Sequence, residues 1–224
     1  MPRIALIHAT RVAIAPIEAA AKAHWPEAET ISIMEEGLSV DRQKSGDLSL
    51  ELWDRIIGLA RYAESAGSDA ILFTCSAFGQ AIDDAAEDSL IPIMKPNQAM
   101  FNAAFGYGDR IAMIYTFPPA AAGMEDEFKT AAASKGSKAV LTSYFCAGAL
   151  DAKRAGDVVT HDRLIAETAE QIPEADVIML AQFSMASAAD AVLRRITTPV
   201  LTSPEAAITE IRRRVETMQR RQIC

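Results

Sequence analysis

The sequence predicts an α/β fold of two pseudo-twofold-related Rossmann-like or flavodoxin-like lobes with parallel sheets. Three observations carry that prediction: an internal repeat, an alternation of short apolar strands with helical stretches, and polar residues placed where the apolar runs stop. The repeat comes first, since self-similarity at a fixed spacing decides the architecture before any single motif is read. "RIALI" begins at Arg3 and "RIAMI" at Arg110, an offset of 107 residues. The same offset carries "SDAILFTCSAFGQAI", from Ser68, onto "ADVIMLAQFSMASAA", from Ala175, and "IPIMKP", from Ile91, onto "TPVLTS", from Thr198. One such match between apolar strands could be chance, but three at one offset describe two homologous halves. The lobes are therefore expected at 1–107 and 108–224, with the C-terminal helix 204–222 completing the first lobe or capping the second.

Within each half, apolar strands of about five residues near 3–8, 30–34, 70–74 and 91–94 are separated by helical stretches, the pattern of parallel sheets with crossover helices. The spacing predicts a helix over 48–66, with Leu48, Leu52, Ile56, Leu59 and Ala63 on one face and Gly67 as its stop. Its counterpart near 160–172 ends at Pro173. The polar stretch "EEGLSVDRQKSGD" reads as a surface loop or a mobile flap.

Half of the 224 residues are hydrophobic, enough to bury a sizeable core. No apolar run has the 18 or so residues that a spanning helix needs, and "MPRIALIHAT" lacks a secretory pattern, so a cytoplasmic protein without membrane contact is expected. A net charge of −8 argues against nucleic acid as a partner, because such binding rests on a basic surface. The basic tail "EIRRRVETMQRRQ" interleaves Glu210 and Glu216 with its arginines and reads as a solvated helix. Three cysteines, Cys75, Cys146 and Cys224, leave one over from any pairing. No Cys/His spacing suits a metal, and none is expected.

Cys75 falls where the run "ILFT" stops, and its mate in the repeat is Gln182. Ligands of open parallel sheets sit beyond the carboxyl ends of the strands, and the ends of both lobes could face one shared cleft. If a helix starts near Ser76, free N–H groups there favour anions: they would lower the thiol pKa and hold a carboxylate. Ser76 and Ala77 would supply backbone donors, and Thr74 and Ser76 hydroxyls. Free cysteines are also commonly inert packing, and that reading stands beside the activated one. Cys146, in "TSYFCAGAL", reads as structural, and Cys224 as an exposed bystander.

The two halves, with "FTCSAFG" after the third strand of the first and "LAQFSMA" after that of the second, resemble the aspartate/glutamate/hydantoin racemase superfamily, which includes arylmalonate decarboxylase and maleate isomerase. The likeness spans nearly the whole chain in layout and is specific at those segments and at the two first strands. It implies a cleft that binds a small-molecule carboxylate without organic cofactor or metal, two cysteines acting from opposite faces of the adjacent carbon, and a homodimer. Cys75 matches the first catalytic cysteine, whereas Gln182 stands in place of the second. An amide exchanges no proton at neutral pH, so the acid/base pair for racemisation is incomplete. The resemblance also implies substrate-binding places for His8, Thr10, Tyr115 and Thr116, with Gln182, Phe183 and Ser184 lining the second half's share. His8, Tyr115 or Cys146 could replace the missing partner, His8 being the side chain that titrates nearest neutrality, and a satisfied structural histidine is the reading of His8 that stands ahead of that one. His24 and His161 read as helix-surface residues.

The expected function is therefore a cofactor-independent enzyme acting next to a carboxylate through Cys75, by racemisation, isomerisation, decarboxylation or elimination. A carboxylate-binding or sensor protein on the same fold is the alternative. Nucleotide binding ranks low, because no glycine-rich phosphate loop follows a strand.

Overall fold

The computed structural model describes residues 1–223, with side chains through Arg220; the expectation for Cys224 lies outside them. Two compact units form, one from residues 1–96 with the chain from Pro204 onward, the other from Asn97–Ser203. Each holds a four-stranded sheet, all parallel, and the same order occurs twice.

In the first unit, β1 (Arg3–His8), β2 (Glu29–Met34), β3 (Ala70–Phe73) and β4 (Ile93–Met94) line up as β2-β1-β3-β4. They alternate with α1 (Ile14–His24), α2 (Gly37–Ser45), α3 (Leu50–Ser65) and α4 (Gly79–Glu87). In the second, α5 (Gln98–Ala104) precedes β5 (Arg110–Tyr115), α6 (Ala121–Lys135), β6 (Val140–Phe145), α7 (Ala149–Arg154) and α8 (Val158–Glu170). Then come β7 (Val177–Leu180), α9 (Ala189–Leu193) and β8 (Val200–Thr202), in the order β6-β5-β7-β8. The last helix, α10 (Ser203–Ile223), returns to the first unit, where Arg212 donates to the His24 carbonyl (3.0 Å). Its Arg213 and Arg214 both pair with Glu210, as expected of a solvated basic face.

The central strands are apolar along both faces because helices cover both, so β3 and β7 are buried throughout. The edge strands β2 and β6 carry Thr and Ser and stay half-exposed. Ser49 caps α3 by accepting the Leu52 N–H (3.3 Å), and Gly67, at φ 79°, closes its far end. Its buried stripe is Leu52, Ile56, Ala60 and Ala63, so Ala60 takes the place predicted for Leu59. Residues 37–45, read as a loop, form α2, with Leu38, Ser39 and Arg42 buried.

The offset of 107 holds for the starts of β1 and β5, of β3 and β7, and of α1 and α6. Between these points it slips: β2 starts at 29 and β6 at 140, because α6 has 15 residues against 11 in α1. The shorter passage from β6 to β7 restores it. The change of unit at 96/97 precedes the change of repeat at 107/108 because α5 is fastened to the second unit. Buried Asn97 accepts the Ser203 hydroxyl (2.7 Å) and donates to the Met124 sulfur (3.1 Å), and Phe101 packs edge-on against Phe128.

One contact repeats in both units. The first N–H of β1 donates to Asp69 (2.7 Å), and that of β5 to Asp176 (2.9 Å), each carboxylate lying just ahead of the third strand. The Arg110 guanidinium and backbone hold the Asp176 carboxyl below the usual carboxylate range. A depressed carboxyl stabilises the fold above its unfolded-state pKa and loses that effect as pH falls through its folded value. Asp176→Asn is expected to lower the urea midpoint at neutral pH, and the gap from the parent protein to close as the medium is acidified into the carboxylate range.

Candidate functional site

In a sheet ordered 2-1-3-4 the chain runs outward one way from β1 to β2 and the other way from β3 to β4, so the crevice at the strand ends opens between β1 and β3. Pairing of Ile7 with Phe73 sets His8 beside Thr74 there. The Ile7 carbonyl accepts both the Thr74 N–H (2.9 Å) and its hydroxyl (3.2 Å). The His8 Nδ1 lies 2.9 Å from the Thr74 Oγ1, and Nε2 lies 3.2 Å from the Ser32 Oγ. With the Thr74 proton directed at Ile7, Nδ1 is the donor to Thr74, and Nε2 faces Ser32, whose hydroxyl also lies 3.5 Å from Glu18. His8 is fully buried, and burial pushes its pKa down to about 4. Of the two readings of His8, a base near neutrality is not supported and a structural histidine is: the neutral imidazole braces β1 against Ser32 of β2 and Thr74 just past β3. The Thr74 hydroxyl is likewise engaged inside the fold, with Ile7 and His8.

Cys75 follows as the extended residue that caps a short 3-10 turn, Ser76–Phe78, ahead of α4. Its side chain is half-buried, whereas Ser76 and Ala77 are buried. The Ala77 backbone and the positive charge of Arg42 both favour the thiolate. Burial outweighs them and pushes the thiol up to about 11. This corrects the expectation of a lowered pKa. A helix end contributes only about 0.3–1 kcal/mol, and here it is a three-residue turn, while burial can move a pKa by several units. Thr10, half-buried, precedes another 3-10 turn, Arg11–Ala13, and makes no side-chain cap.

The same crevice in the second unit lies between β5 and β7. Gln182 caps the 3-10 turn Phe183–Ala188, and its Oε1 accepts both the N–H (2.9 Å) and the hydroxyl (3.2 Å) of Thr116. Tyr115, half-buried, lies against the Phe145 ring at 5.4 Å. Phe183 and Ser184 are buried. Cys146 sits in the core cluster with Ile114, Ile165 and Met185, its thiol pushed up by burial. His161, read as a surface residue, is fully buried, because α8 packs that face on the sheet, and its Nδ1 meets Asp162 at 2.6 Å. Among the described residues, no group of three or more His, Cys, Asp or Glu could hold a metal ion, and no helix is long and apolar enough to cross a membrane.

Arg42 was not among the residues singled out in the sequence. It is nine-tenths buried, donates from Nε to the Ala77 carbonyl (3.2 Å) and from Nη1 to the Gly46 carbonyl, and so joins α2 to the Cys75 turn. The available signal was an arginine within an otherwise exposed polar stretch, which nothing local distinguishes from its neighbours.

Two units that share one parallel-sheet topology, each with a polar residue opening a turn at the end of its third strand, define a class of repeated α/β protein. The chain belongs to the Asp/Glu/Hydantoin racemase family, whose sequence profile matches residues 7–211. It is similar in structure to the glutamate racemase of Francisella tularensis subsp. tularensis SCHU S4 in complex with D-glutamate (TM-score 0.77, 12% identity, covering 97% of this chain and 82% of that one). The allantoin racemase of Pseudomonas fluorescens (0.74, 18%, 96% and 92%) and unliganded arylmalonate decarboxylase (0.62, 16%, 96% and 93%) are similar too. At these identities the likeness is one of fold. No curated protein matches the chain in sequence.

The His8 brace has a measurable consequence. With a pKa of about 4 folded and 6.5 unfolded, the unfolded chain binds the proton first as pH falls. Between those values the protein loses about 3 kcal/mol on this account, at about 1.36 kcal/mol per unit. Urea midpoints measured from pH 7 to 4 are expected to fall steeply for the parent protein and less steeply for His8→Gln.

Proposed function

We propose that this protein is a racemase-family enzyme that works next to a carboxylate without an organic cofactor, with Cys75 as its acid/base group. The observation that supports this most is the contrast between the two strand-end positions: a thiol stands at the start of the turn after β3, and an amide bonded to Thr116 stands at the start of the turn after β7. One thiol serves one face of a carbon. A thiol held near pKa 11 is protonated at neutral pH, so it starts as a donor and not as a base. Among the expected reactions this fits decarboxylation best. The substrate C–C bond breaks to release carbon dioxide, its electron pair stays on the carbon, and the S–H proton moves to that carbon; the thiolate then regains a proton from water. The name of arylmalonate decarboxylase, a structural neighbour, supplies a first substrate class: malonates substituted at the central carbon.

Carboxylate binding without turnover is the second reading, and the same high thiol pKa favours it. Both are tested by incubating 2-substituted malonates and 2-amino dicarboxylates with the protein in deuterated water and following them by NMR. Carbon dioxide release with one deuterium retained is expected, with Cys75→Ser lowering kcat/KM by about 100-fold or more. Deuterium exchange with inversion and no carbon dioxide indicates racemisation instead. Acids that raise the melting temperature and never react select the binding reading.

A further inference from the structure

We infer that Arg42 is a positioning residue of the Cys75 site, which fixes the Ala77 peptide groups against the thiol and carries a buried positive charge to it. Three observations converge. Arg42 is nine-tenths buried, an uncommon place for a guanidinium unless the fold uses it. Its Nε holds the carbonyl of Ala77, in the turn that Cys75 opens, so one hydrogen bond ties the guanidinium to the segment bearing the thiol.

The third observation is the platform that delivers it. The segment bearing Arg42 is tied down on both sides: Arg11 grips Glu36 through two bonds (2.8 and 2.7 Å), and Arg55 bonds to Asp41 (2.8 Å) and to Glu35. Gly37 leaves room for that clamp, since a Cβ there would stand 2.9 Å from an Arg55 nitrogen and 2.7 Å from a Glu35 oxygen. At the end of α2 the second Arg42 bond, to Gly46, keeps the side chain from swinging outward.

The groups that bear on Cys75 are few. Arg42 comes from α2 and the Ala77 backbone from the turn, while on β1 His8 is neutral and bonds to Thr74, the residue before Cys75. Asp47 faces Arg42 and offsets part of its charge. Burial disfavours the thiolate, and Arg42 is the charged group that opposes it. When the thiol has given up a proton, Arg42 is what stabilises the anion left behind. That catalytic meaning rests on the function proposed above, but the coupling itself does not.

The test is the rate of Cys75 alkylation by iodoacetamide from pH 7 to 11, with Cys75→Ala to subtract the other thiols and a thermal melt to verify folding. Arg42→Met keeps the length and removes the charge and the donors. It is expected to slow alkylation at pH 9 by about three- to tenfold, a shift of about half to one unit in the thiol, with Arg42→Lys between it and the parent. Folded Arg42→Met whose profile overlays the parent's overturns the inference. If that variant does not fold, Asp47→Asn decides: it leaves Arg42 in place with less opposing charge, so alkylation at pH 9 is expected to speed up about twofold, and an unchanged rate overturns the inference. No substrate enters this experiment. A shifted profile with no acid turned over upholds Arg42 and removes the enzyme reading, and the opposite result does the reverse.

Discussion

The pairing of β1 with β3 is the constraint on which the rest of the first unit depends. It brings Ile7 opposite Phe73, and the Ile7 carbonyl then takes both polar hydrogens of Thr74. The direction in which the chain leaves β3, and with it the position of Cys75, follows from that double bond. The second unit keeps the backbone half of the arrangement, Ala181 N–H on the Ile114 carbonyl at 3.0 Å, and lacks the hydroxyl because alanine stands where the first unit has threonine. A brace made by histidine and threonine in one unit is thus packing alone in the other.

That difference shows how a repeated fold comes to carry unequal chemistry. The frame is hydrogen-bonded backbone and apolar strands, which tolerate changes at the strand ends as long as the register holds. At the ends, single residues decide everything. A thiol can hold or release a proton, whereas the amide of Gln182 accepts two hydrogen bonds from Thr116 and does not titrate. Burial then sets the working state of the thiol. A turn of three residues is too short a dipole to hold a thiolate against the loss of water, so the charge comes from farther off, on α2.

Much of this was legible in the chain. Apolar strands, the stop at Gly67 and the offset of 107 residues are local or repetitive features, whereas the order of strands in each sheet came only from the structure. Cys75 could be placed because it stands where an apolar run stops, at a strand end that the repeat marks in both halves. His8 could be placed but not understood: its position at the end of β1 is local, whereas the burial that keeps it neutral and its partners Ser32 and Thr74 come from distant parts of the chain. The polar run 35–47 concealed α2, since its buried face is only Leu38, Ser39 and Arg42, too few apolar residues to give a period.

The sequence by itself therefore determined the two-unit α/β architecture, the family, and the residue on which chemistry is proposed to turn. Tertiary structure decided the protonation states of His8 and Cys75 and brought Arg42 to the Ala77 carbonyl across 35 positions of the chain. The physical reason is that hydrophobic period and turn chemistry are properties of neighbours along the chain. Solvation and electrostatic fields are properties of neighbours in space, and those exist only after the strands have paired.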